Sequence, residues 1–221
     1  PVAHSFPTRR SSDLYRAPQG TALYIRGFQE FSLDLYMNET FVHRLLRYVT
    51  DAAKTFSLWR QDFTGEPLTK CDLFNDDIPL MSPEMYEKYF FPYEKELCDF
   101  FGGVYYWHSC GDATGHIPVI QKLPDIELLD LGVSIEDKEE AIRSLDKEQP
   151  AEIRVMAQKH VQTGTEEEKK SHIRDILRSC RENGVMKYVI RSSGMSVIHG
   201  AGEDLRLLSR WVELAREVQD E

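Results

Sequence analysis

Positive charge is scarce in this chain. Lys and Arg total 27 against 37 Asp and Glu, a formal net charge of −10. No long Lys/Arg cluster offsets that balance, so nucleic acid is a poor fit as a partner, because phosphates need a basic face. Long apolar runs are also missing. None approaches the roughly 20 residues needed to cross a bilayer, and no charged start followed by an apolar middle marks a secretory signal. A membrane partner is therefore not expected. Only four cysteines occur, Cys71, Cys98, Cys110 and Cys180, too few and too scattered for a disulfide framework. The expectation is a cytoplasmic, reduced protein. What is present is enough for a core: 221 residues, 41% of them hydrophobic, can fill one sizeable interior or two small ones.

The beginning stands apart. The chain opens on Pro1, not Met, and the stretch from His4 to Leu14 has neither helical nor strand periodicity. Residues 1–14 are set aside as a spurious or disordered tail. From Gly20 onward short apolar runs alternate with amphipathic stretches. Strands are expected over residues 22–25, 71–75, 104–107, 126–131, 152–157 and 187–190. Asn38 caps a helix with an apolar face of Phe41, Leu45, Tyr48, Val49, Ala52 and Phe56. Ser82 caps the next, with Pro83 in its first turn. Along that helix Met85, Tyr89, Tyr93, Leu97 and Phe101 form one stripe. Pro92 should kink or split it, and Gly102-Gly103 ends it. A helix is expected near Asp112. Ser134-x-x-Asp137 and Thr165-x-x-Glu168 read as capping boxes. A last helix over residues 202–218 buries Leu205, Leu208, Trp211, Leu214 and Val218.

Strand and helix in alternation predict an α/β fold with a parallel sheet and crossover helices. About six units are countable, where a (β/α)₈ TIM barrel has eight. The expectation is a partial TIM barrel over residues 15–221 that lacks its first two units. Such a piece would expose strand edges and need not be active alone. An open doubly wound sheet is the rival, but no Gly-rich phosphate loop follows any strand.

In either fold, functional groups collect at the carboxyl ends of strands. That rule selects Asp76, Asp77, His108, Cys110, Ser134, Glu136, His160, Arg191, Ser193 and His199. His108 and Cys110 lie two apart on an extended chain and so share a side. An imidazole and a thiolate held this way are good zinc ligands. A partly buried His beside a small apolar Cys would give the same spelling. The Asp76-Asp77 pair could bind a cation, orient a substrate or act as a base, or one Asp could simply cap a turn. His160 and His199 are possible proton carriers or substrate contacts.

The run Asn75-Asp76-Asp77, then Leu80-Met81-Ser82-Pro83-Glu84-Met85-Tyr86, Phe91-Pro92-Tyr93 and His108-Ser109-Cys110-Gly111, resembles the uroporphyrinogen decarboxylase superfamily. The end, Gly184-Val185, Arg191-Ser192-Ser193-Gly194 and Glu203-Asp204-Leu205, resembles that family's last strand and helix. The resemblance implies a (β/α)₈ barrel and one of two activities. True decarboxylases remove carboxylates from tetrapyrrole acetate groups without a cofactor. Their Arg-bearing N-terminal segment is not in this sequence, and where they usually carry Gly-His-Gly it reads Ser193-Gly194-Met195. The other branch comprises methyltransferases that work with corrinoid proteins, in which His-x-Cys supplies two zinc ligands. His108 and Cys110 match those positions. Their usual third ligand, a Cys after the last strand, is replaced at about that place by Ser193, a poor zinc ligand. Either His160, His199 or Glu136 completes the site, or no zinc binds.

The leading expectation is thus a zinc-dependent methyltransferase. It would pass a methyl group between a small methylated substrate, a corrinoid protein and an acceptor, with zinc on His108 and Cys110. Asp76, Asp77 and Arg191 are its candidate catalytic residues, and Asp76, Asp77, His160 and His199 its candidate substrate contacts. A cofactor-free decarboxylase using Arg191, with Arg26 as a further cation, and a non-catalytic ligand-binding barrel are the alternatives.

Overall fold

A computed structural model describes residues 14–221. The tail set aside above falls, up to residue 13, outside the described residues, and Leu14 opens the first strand. The elements run β1 Leu14–Arg16, α1 Pro18–Arg26, α2 Phe28–Met37, α3 Glu39–Thr64, β2 Cys71–Phe74, then a helix α4 over 83–101. They continue with β3 Val104–His108, a short α5 Ile117–Ile120, β4 Ile126–Leu131, α6 Lys138–Arg143 and β5 Ala151–Met156. The chain closes with α7 Glu166–Asn183, β6 Tyr188–Ser193 and α8 Ala201–Gln219. The six strands form one sheet in sequence order, every neighbouring pair parallel. This is an α/β fold consistent with a partial TIM barrel, as expected. β1 and β6 are its edges among the described residues. No helix of the described residues is long and apolar enough to cross a membrane.

Alternation along the strands separates two faces. Leu73, Trp107, Leu129, Leu131, Ile153 and Val155 are buried against the helices. The opposite face carries Tyr106, His108, Asp130, Glu152, Arg154 and Arg191, which bond to one another across strands. One wall is therefore apolar and the other a polar network.

Local signals behave largely as their physics dictates. Asn38 Oδ1 accepts from the Phe41 N–H, Ser82 Oγ from Met85, and Thr165 with Glu168 makes a full capping box. Pro92 does not break α4. Instead Tyr86–Phe90 widens into a π turn in which the Phe91 N–H reaches back to the Tyr86 carbonyl. That relieves the clash a proline ring makes with the carbonyl four residues earlier. Gly102 ends the helix in the left-handed conformation at φ 76°.

Several expectations are corrected. Residues 22–25 lie in α1, not a strand. Pro18 starts that helix, and a four-residue apolar run carries too little periodicity to separate the two. The buried stripe of α3 is Val42, Leu46, Val49, Thr50 and Ser57, leaving Tyr48 and Phe56 68% and 55% exposed. Thr50 and Ser57 are tolerated inside because each hydroxyl donates to the carbonyl four residues back, at 2.8 Å in both cases. The cap of α6 is Asp137, not Ser134. The turn expected at Asp112 begins at Thr114, whose N–H donates to Asp112 Oδ1 at 3.0 Å. In α8, Leu205 is exposed and Asp204 is buried, accepting from Gln162 Nε2 at 2.7 Å and from the Ile198 N–H at 3.0 Å. The last strand runs on to Ser193, so Arg191 and Ser193 lie within it.

Candidate metal centre

Three strand ends build the site. The chain leaves β2 through Asn75 into Asp76, and β3 ends at His108, two residues before Cys110. Asn75 donates its N–H to the His108 carbonyl at 2.8 Å, continuing the ladder one step past β2. Asp76 Oδ1 accepts from the Cys110 N–H at 2.7 Å and lies 3.7 Å from His108 Nε2. His108 Nε2 is 3.1 Å from Cys110 Sγ. One oxygen, one nitrogen and one sulfur thus lie within 4.8 Å of one another.

The backbone around Cys110 is held from both sides. The Ser134 N–H donates to its carbonyl at 3.3 Å. Gly132, at the end of β4, presses on the same segment so closely that a Cβ there would stand 2.4 Å from the Ser109 carbonyl oxygen and 2.6 Å from that of Gly111. Gly111 in turn abuts the Pro79 ring. Only bare backbone fits at these two contacts.

Behind the imidazole stands Asp130, whose side chain is fully buried. Its Oδ2 takes His108 Nδ1, Arg154 Nη1 at 3.0 Å and the Tyr106 hydroxyl at 3.1 Å. With the Nδ1 proton given to a carboxylate, His108 presents the Nε2 lone pair to Cys110 and Asp76. Tyr106 also donates to Glu152 Oε1 at 2.8 Å, and Arg191 reaches Glu152 at 3.2 Å. Burial first, then the Asp76 carboxylate, pushes the Cys110 thiol up. Burial lowers Lys138 to about 8, and its ammonium donates to the Gly132 carbonyl at 2.7 Å.

The donor set fits a divalent metal such as zinc. A carboxylate, an imidazole and a thiol are all zinc ligands, and a carboxylate behind the imidazole is the usual outer partner of such a histidine. Asp76, which the sequence did not offer as a third donor, is the residue that lies with His108 and Cys110, whereas His160, His199 and Glu136 do not. Among the described residues those three join no cluster of three donors. His160 stacks on His172 with ring centroids 3.8 Å apart, and burial, then the neighbouring His172 and lysines, lowers it to about 4. His199 serves the start of α8, with its ring against the Gln162 carbonyl at 3.1 Å. Asp77 turns away from the triad to pair with Arg16 at 2.6 Å. Arg191 stands apart from it but joins its network through Glu152 and Tyr106.

Sequence reasoning missed Tyr106, Asp130, Glu152 and Arg154. For Glu152 and Arg154 the signal was available, since they alternate with the apolar Ala151, Ile153 and Val155 along β5.

A parallel α/β sheet with a thiol, an imidazole and carboxylates gathered at the carboxyl ends of its strands is consistent with a partial TIM barrel. The chain belongs to the uroporphyrinogen decarboxylase (URO-D) family, whose model matches residues 14–213. A search of curated proteins finds no match.

Proposed function

We propose that the chain is a zinc-dependent methyltransferase of this family, moving a methyl group between a small methylated substrate, a corrinoid protein and an acceptor. The observation that carries this reading is the convergence of Asp76 Oδ1, His108 Nε2 and Cys110 Sγ within 4.8 Å. Three protein ligands leave a fourth position open, which is the pattern of catalytic and not structural zinc. Zinc held there supplies Lewis acidity, stabilising a thiolate or polarising the group that carries the methyl.

The chain's own residues do the rest. Asp130 keeps the proton on His108 Nδ1. Tyr106, Arg154 and Arg191 offer polar contacts along the inner wall for a small substrate, and their pairing with Asp130 and Glu152 holds them in place. Asp77, next in the chain to Asp76 and held by Arg16, would orient substrate from the side of the triad. A corrinoid protein docked at that end of the sheet would supply or take up the methyl group.

Metal analysis of the purified chain, with His108→Ala and Cys110→Ala alongside, tests the proposal. Loss of stoichiometric zinc and of methyl transfer from a methylcorrinoid in both variants supports it. Unchanged metal content and activity in both would rule the site out. Arg154 and Arg191 on the inner wall favour a second reading, cofactor-free decarboxylation, because cations there could hold substrate carboxylates. Turnover of uroporphyrinogen, followed by product porphyrins, with no dependence on Cys110, would support that reading instead.

A further inference from the structure

On the helix side of the sheet, beneath the triad, lies a carboxylate that the proposed reaction does not use. Glu94, on α4, is fully buried, and no Lys or Arg among the described residues pairs with it. Its Oε1 accepts from Trp107 Nε1 at 2.8 Å and its Oε2 from Asn75 Nδ2 at 3.0 Å. Asn75 Oδ1 accepts in turn from Gln19 Nε2 at 2.5 Å. The Tyr86 hydroxyl is buried beside it without a well-formed hydrogen bond. Trp107 immediately precedes His108, and Asn75 immediately precedes Asp76.

An unpaired carboxylate is expensive to bury, and an apolar side chain or an amide would fill the same space. What a carboxylate alone offers is two acceptor oxygens on one rigid plane. Here one oxygen holds the end of β3 and the other the end of β2. We propose that Glu94 is a positioning residue for the triad, a brace that keeps Asp76 within ligand distance of His108 and Cys110. The inference rests on the metal reading above. Glutamine cannot replace it: with one oxygen it accepts from one donor and must turn an NH₂ group toward the other.

Cobalt(II), a spectroscopic substitute for zinc, separates this role from mere packing. In the wild type, Co(II) titration should give a thiolate-to-cobalt charge-transfer band. Glu94→Gln and Trp107→Phe should each bind Co(II) roughly tenfold more weakly and shift the visible ligand-field bands. Leu97→Ala, a buried cut in the same helix, should lower the melting temperature yet leave affinity and spectrum as in the wild type. A wild type with no thiolate band sinks the metal reading and this inference with it. A wild-type band that both variants reproduce, or that Leu97→Ala disturbs as much as they do, overturns the brace alone. Where Glu94→Gln does not fold, Trp107→Phe decides.

Discussion

Asp130→Asn keeps the shape of the side chain and removes its charge. In the wild type, Oδ2 collects His108 Nδ1, Arg154 Nη1 at 3.0 Å and Tyr106 at 3.1 Å, with the Asp130 side chain fully buried and that of Arg154 14% exposed. Removing one partner of a buried ion pair costs roughly 3–5 kcal/mol, because the other charge is left behind. Glu152 Oε1, 3.8 Å from Arg154 Nε, remains as a partial substitute, so the low end applies, about 3 kcal/mol in the metal-free protein. A second effect falls on the metal. Loss of the carboxylate behind a ligating histidine weakens affinity roughly 10–100-fold, equivalent to about 1.4–2.7 kcal/mol. Zinc-loaded protein should therefore lose more stability than metal-free protein. Denaturant unfolding with and without zinc, together with competition against a chelator, reads both quantities. A variant that is less stable but binds zinc within threefold of the wild type would show instead that Asp130 serves only Arg154.

Two further outcomes follow from the same geometry. Burial raises Glu94 from 4.5 to about 7 in the folded protein, opposed by its Trp107, Tyr86 and Asn75 contacts. A carboxyl with a raised folded-state pKa stabilises the fold most when protonated. Its contribution is complete below pH 4.5, declines as pH rises, and is gone above about 7, a change of about 3 kcal/mol. Unfolding free energies measured from pH 4 to 8 should show that decline in the wild type and lose it in Glu94→Gln; equal slopes in both would contradict it. Gly132→Ala should cost roughly 1–3 kcal/mol by overpacking and displace the Cys110 segment. Gly202→Ala in α8, where a Cβ meets nothing within 4 Å, should be neutral or stabilising; matching melting temperatures in the two would show that the 109–111 segment yields freely.

The parts of this structure that were legible from sequence are those fixed by local chemistry. Asn38, Ser82 and Thr165 cap helices because their side-chain oxygens satisfy first-turn N–H groups wherever they stand. The stripe from Tyr89 to Phe101 is buried because four-residue spacing puts it on one face. The His108–Cys110 pair could be read for the same reason, since two-residue spacing on an extended chain fixes a shared side. Other features depend on what packs against what. The face of α3 turned because Thr50 and Ser57 satisfy their own hydroxyls and can be buried, while Tyr48 and Phe56 meet no neighbour that covers them. Asp76 as third donor depends on the neighbouring strand order of β2 and β3, which no spacing along the chain encodes. Asp130 sits in an apolar strand where an acid reads as an exception; its inward position makes sense only once His108 and Arg154 are seen beside it.

One sulfur, one imidazole and one carboxylate of this chain are proposed to hold a single metal ion. X-ray absorption at the zinc edge of the loaded protein tests it most directly. The expected shell has one sulfur at roughly 2.3 Å with the remaining ligands nitrogen or oxygen at roughly 2.0–2.2 Å, the sulfur lost in Cys110→Ala and one light ligand exchanged in Asp76→Ala. A zinc shell without sulfur, or one that is the same in Cys110→Ala as in the wild type, would contradict it.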